Sequence, residues 1–74
     1  MNIYQRLKDL REDSVKSQEE IAKILGTSQS YYAQYENGKR SLPFERAVIL
    51  ARYYNVSLDY IAGLIDTPRK LYTI

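Results

Sequence analysis

Apolar residues recur along this chain at helical spacing in several short stretches, each bounded by residues that start or stop helices. Ile3, Leu7 and Leu10 stand at i, i+4 and i+7, which predicts a first helix from about Ile3 to Glu12 with an apolar stripe inward and charge on its other faces. Ser17-Gln18-Glu19-Glu20 is a capping box: the serine hydroxyl caps a free amide and Glu20 reaches back to the Ser17 backbone. It opens a second helix, Gln18 to Leu25, with Ile21, Ala22 and Leu25 facing the core. Only Gly26, Thr27 and Ser28 separate this helix from a third, Gln29 to Glu36, capped by Ser28 and ended by Gly38, which can turn left-handed. Pro43 suits the first turn of a fourth helix continuing to about Tyr54, and Ser57 caps a short fifth ending near Gly63. The tail, Leu64 to Ile74, contains Pro68 and has no clear period. The expectation is an all-α, five-helix domain over residues 1–63 and a C-terminal extension over 64–74.

Two helices joined by so tight a turn form a helix-turn-helix, whose second helix can lie in a DNA major groove. Within that helix, Tyr32 and Tyr35 are three apart and alone supply apolar bulk, so their face is the buried one. Gln29, Ser30, Ala33 and Gln34 then point outward. A glutamine amide can donate to adenine N7 and accept from N6 together, a hydroxyl is less selective, and a small alanine permits close approach and contact with a thymine methyl. Solvated polar residues on a surface helix would read the same way, so composition of this face alone leaves both possibilities open.

At 74 residues there is room for one small core, which gives only a few kcal/mol of stability and makes self-association useful. The chain has no cysteine and no histidine, which removes disulfides, thiol nucleophiles, Cys/His zinc sites and imidazole catalysis. No enzymatic activity, cofactor or metal is expected. Charges begin at Arg6 and the longest apolar run is Ala47 to Ala51, so neither a signal peptide nor a membrane span is read and a cytoplasmic location is expected. A net charge of +2 and a pI near 8.9 permit nucleic-acid binding without demanding it. The eight tyrosines fall mostly at core or capping positions, not where they would stack on single-stranded bases.

Several separated segments resemble one family in register over residues 3 to 63: Arg6-Leu7-Lys8-Asp9-Leu10-Arg11, Ser17-Gln18-Glu19-Glu20-Ile21-Ala22, Leu25-Gly26, Tyr35-Glu36-Asn37-Gly38-Lys39-Arg40 and Val56-Ser57-Leu58-Asp59-Tyr60-Ile61. They are similar to the XRE family of bacterial and phage regulators, to which the lambdoid phage repressors and Cro belong. The resemblance implies a lambda-repressor-like five-helix domain, bacterial or phage-encoded and nucleoid-associated, that binds a double-stranded DNA operator as a homodimer. It implies that Gln29, Ser30 and Gln34 meet bases, with Ala33 beside them on the same face, and that Gln18, Ser28, Asn37, Lys39 and Arg40 meet the DNA backbone. Gln18 would share a phosphate with the free amides of its helix N-terminus. Tyr31, between the core and DNA faces, is a further backbone candidate. Arg11 and Glu36 occupy positions that the family pairs in a partly buried salt bridge, either orienting the turn that carries Asn37 and Lys39 or only supporting the fold.

The chain departs from the family pattern at Val15, commonly glycine, and Lys16, commonly leucine, so the turn between the first two helices is expected to be reshaped. The lysine stem can still cover apolar surface while its ammonium reaches water or a phosphate. Ala47 replaces a larger apolar residue and Ile49 lies on a side that is often polar, which moves core volume toward the tyrosines. Tyr60, Leu64, Ile65, Leu71, Tyr72 and Ile74 either form a two-fold pairing surface or belong to a tail that folds back on its own domain or frays. In a dimer, two recognition helices about 34 Å apart would require a near-palindromic site. The expected function is transcriptional regulation, by repression through occlusion because the leftover residues hold no separate effector domain. The alternative is an antitoxin-like or antirepressor protein-interaction module with weak DNA binding.

Overall fold

The computed structural model describes residues 1–68, so Leu71, Tyr72 and Ile74 lie outside the described residues. Five helices follow in chain order: α1 (Ile3–Asp13), α2 (Gln18–Leu25), α3 (Gln29–Glu36), α4 (Phe44–Tyr54) and α5 (Leu58–Ile61). The four serine and asparagine caps have a common geometry, in which Asn2, Ser17, Ser28 and Ser57 each accept a backbone N–H three residues on. At Ser17 the box is complete, with the Ser17 amide donating back to Glu20 at 3.0 Å. Pro43 corrects the expectation for the fourth helix. It sits one position before the helix as the N-cap, extended at ψ 151°, because its ring fixes φ without requiring a helical ψ.

One core joins the helices. Leu7 of α1, Ile21, Ala22 and Leu25 of α2, Tyr32 and Tyr35 of α3, Leu50 and Ala51 of α4, Val56, and Ile61 of α5 are all buried. Tyr32 and Tyr35 are the bulkiest fully buried side chains, packed edge to face at 6.2 Å. Ala47 packs half-buried against the core, while Ile49 is left exposed. α3 is held from two sides, by α2 and by α1, and α4 and α5 complete the body behind them. The direction in which α3 presents its free face is therefore set by core packing.

The turns explain the remaining departures. Gly26 ends α2 at φ 72°, and Gly38 follows α3 at φ 78°. Val15 takes the left-handed conformation itself, at φ 57° and 88% exposed, although a β-branched residue is strained there. Lys16 turns its ammonium to Glu20 at 3.9 Å.

α1 also contains a surprise on a face expected to be charged and solvated: Arg6 is buried, at 3% exposure. Its guanidinium lies 3.7 Å above the Tyr60 ring and donates to the Ile65 carbonyl at 3.2 Å. The Tyr60 ring and the Ile65 backbone carbonyl are thus engaged within their own domain, whereas Leu64 stays 76% exposed. Among the described residues no helix is long and apolar enough to cross a membrane, and no cluster of potential metal ligands occurs.

Candidate nucleic-acid interface

α3 is eight residues long and turns Tyr32 and Tyr35 into the core, which leaves Gln29, Ser30, Ala33 and Gln34 for the outer face, with Tyr31 and Glu36 half-buried at its flanks. Gln29 and Ser30 are exposed, and Ala33 and Gln34 are half-buried beside them. Ser28, at the helix start, uses its hydroxyl on the Tyr31 amide and lies 3.4 Å from the Ser30 hydroxyl.

A run of polar contacts ties this face to α2 and α1. The Gln29 side chain donates to Gln18 Oε1 at 3.4 Å, and Gln18 Nε2 donates to Glu36 Oε1 at 3.1 Å. Glu36 accepts from Arg11 Nε at 2.7 Å and Nη2 at 3.1 Å, a two-point ion pair. Arg11 Nη1 also donates to the Lys16 carbonyl at 3.0 Å, so one guanidinium fastens the α1–α2 turn to the end of α3. Burial pushes the Glu36 carboxyl up, but the hydrogen bonds from Arg11 and Gln18, with the Tyr32 hydroxyl facing it, hold it below the usual carboxylate range. That hydroxyl makes no hydrogen bond of full geometry, and its burial first, then the Glu36 charge, push the phenol well above its ordinary value. Glu36 therefore remains ionised and its charge is cancelled locally.

The turn after α3 folds back on the helix. The Lys39 and Arg40 amides both donate to the Gln34 carbonyl, at 2.9 and 3.2 Å, and the Asn37 side chain accepts from the Lys39 amide at 3.2 Å. Asn37, Lys39 and Arg40 are all exposed. Tyr31, half-buried at the helix flank, stacks edge to face on Tyr35 at 5.8 Å and carries the Arg40 guanidinium over its ring at 4.4 Å.

Two basic residues join this neighbourhood without having been singled out in the sequence. Lys8 lines a cleft of about 350 Å³ with Arg11, Gln18, Ala33, Glu36 and Asn37. Its position three residues before Arg11, on the same helical face, was the available signal. Arg46 donates to the Tyr35 hydroxyl at 2.8 Å, a tertiary contact that no spacing in the sequence marks.

A helix-turn-helix family model matches residues 7–61, from α1 through α5. The chain belongs to the helix-turn-helix regulators of the XRE/Cro-like family. It is 44% identical over 64 residues to the uncharacterized HTH-type transcriptional regulator YobD of Bacillus subtilis, covering 86% of this chain and 57% of that one. It is 30% identical over 70 residues to the HTH-type transcriptional regulator ImmR of the same organism, covering 95% and 55%. Identity to the cryptic phage CTXphi transcriptional repressor RstR of Vibrio cholerae is 34% over 62 residues, covering 84% and 56%. This helix-turn-helix chain thus spans little more than half the length of those relatives. A crystal structure of a transcriptional regulator from Listeria innocua shares the fold, with a TM-score of 0.82 at 20% identity, over 99% of this chain and 65% of that one. The family is one of DNA-binding regulators, not of catalysts.

Proposed function

We propose that this helix-turn-helix chain is a sequence-specific transcriptional regulator that lays α3 in the major groove and represses by occluding a palindromic operator as a homodimer. The observation that carries this reading is the division of α3. Its two tyrosines are locked in the core, while Gln29, Ser30, Ala33 and Gln34 line the free face with donors, acceptors and a small apolar contact. Around that face, Gln18, Ser28, Tyr31, Asn37, Lys39 and Arg40 are disposed to meet phosphates, and Lys8 adds a cation beside Gln18 and Asn37. The name of RstR as a repressor supports repression.

For the dimer, Leu64 is the pairing candidate with a free apolar side chain among the described residues of the tail, and Tyr72 lies outside them. The alternative of an interaction module built on α5 is weakened because the Arg6 guanidinium already covers the Tyr60 ring.

Selection of bound duplexes from a random pool at near-physiological salt, with the bound species sized, tests the reading. A two-fold symmetric site carrying two chains is expected. A pool without enriched sequence overturns it.

A further inference from the structure

We propose that Arg40 determines which base Gln34 reads, converting a side chain that by itself suits adenine into part of a donor surface that selects guanine. This rests on the reading of α3 as the major-groove helix.

Arg40 Nε donates to the Gln34 side-chain oxygen at 3.2 Å. A guanidinium has no acceptor, so the amide can meet it only with its oxygen, which fixes the orientation of the Gln34 carboxamide and turns its NH₂ away from Arg40. The pairing follows from the backbone. Because the Lys39 and Arg40 amides both close on the Gln34 carbonyl, the turn after Asn37 returns residue 40 to residue 34. The far end of Arg40 is held as well, with its guanidinium 4.4 Å above Tyr31. Tyr31 in turn rests edge-on against Tyr35, which is 1% exposed. A surface arginine is thus buttressed through two rings into the core.

The consequence concerns the edge offered to DNA. An unencumbered glutamine reads adenine by accepting from N6 while donating to N7. Here the accepting oxygen is engaged by a donor, and a cation beside it disfavours the approach of a second donor such as the adenine amino group. What remains is the Gln34 NH₂ on one side of the engaged oxygen and the Arg40 guanidinium on the other, an edge made of donors. Guanine presents two acceptors, N7 and O6, on the same edge and is the base that suits it. Arg40 then acts as a specificity residue in addition to any phosphate it meets.

The test is selection from a random duplex pool with three proteins: the unaltered chain, Gln34→Ala and Arg40→Met. Methionine retains stem length over Tyr31 and removes donor and charge, and equal thermal midpoints confirm that the fold is intact. The base column flattened by Gln34→Ala identifies what Gln34 reads. The unaltered chain is expected to prefer guanine in that column, and Arg40→Met to lower the guanine-to-adenine ratio there by about tenfold while the other columns hold. A guanine preference unchanged in Arg40→Met, or adenine preferred by the unaltered chain, overturns the proposal while leaving the operator reading intact. Failure of the unaltered chain to enrich any sequence sinks both.

Discussion

Arg11 on α1 and Glu36 in the last turn of α3, 25 positions apart, meet in a two-point ion pair whose side chains are only 13% and 5% exposed. Removing one partner of such a pair strands the other charge away from water, which is far costlier than losing a surface pair. Arg11→Met should therefore cost about 3 kcal/mol at neutral pH, a large share of what a domain of this size has. The pH dependence has a definite sign. The Glu36 carboxyl is depressed below its ordinary 4.5, so the stability it contributes is complete above that value and is lost as pH falls through the depressed one. Urea denaturation of the unaltered chain and of Glu36→Gln, from pH 7 to pH 3, should show a gap that closes with acid. A gap independent of pH would mean that the carboxylate charge is not what the fold uses.

Val15 should be improvable. At φ 57° its β-branched side chain is in the region that favours glycine, and at 88% exposure it gains little burial in return. Val15→Gly relieves strain on the order of 1–2 kcal/mol and concedes part of it to the more flexible unfolded chain. A net gain near 1 kcal/mol corresponds to a rise of about 4–8 °C in the thermal midpoint for a domain of this size. No rise on thermal denaturation would place the Val15 backbone elsewhere in solution.

The limits of α2 and α3 are legible in the chain because their punctuation is local. Ser17 with Glu20, Gly26, Ser28 and Gly38 each act within a few residues of themselves. The free face of α3 was legible for the same reason, once Tyr32 and Tyr35 were seen to share a side. Arg6 was not, since its burial depends on Tyr60 and on a carbonyl 59 positions away. Gln18 looks like a helix-start residue until α3 is packed beside it and Glu36 and Gln29 come within reach. Partners chosen by tertiary packing leave no periodicity to read, whereas caps and stripes do.

Self-association offers a third prediction. With the Tyr60 ring covered by Arg6, Leu64 is the exposed apolar side chain that the described part of the tail offers to a second copy. Leu64→Asp would bring a charge into that contact beside Asp66, and unpaired charge in an apolar contact is strongly disfavoured. The dissociation constant measured by sedimentation should rise at least tenfold, with the thermal midpoint at high dilution unchanged. An unaltered dimer would move the two-fold axis to another surface.

Lys39 and Gln34 are joined through one backbone hydrogen bond yet should fail in different ways when removed. Lys39 is an exposed cation on the turn, with no side-chain partner among the described residues, so its contribution to DNA binding is the release of counterions from phosphate. Lys39→Ala should weaken all duplexes alike and reduce the slope of log K against log salt by about one. Gln34 carries no charge, so Gln34→Ala should leave that slope in place and cost about 1–3 kcal/mol against the preferred base alone. Fluorescence anisotropy of one selected duplex and one scrambled duplex, titrated at several salt concentrations, separates the two effects. Equal loss of discrimination from both substitutions would show that the face of α3 turned to DNA is not the one bearing Gln34.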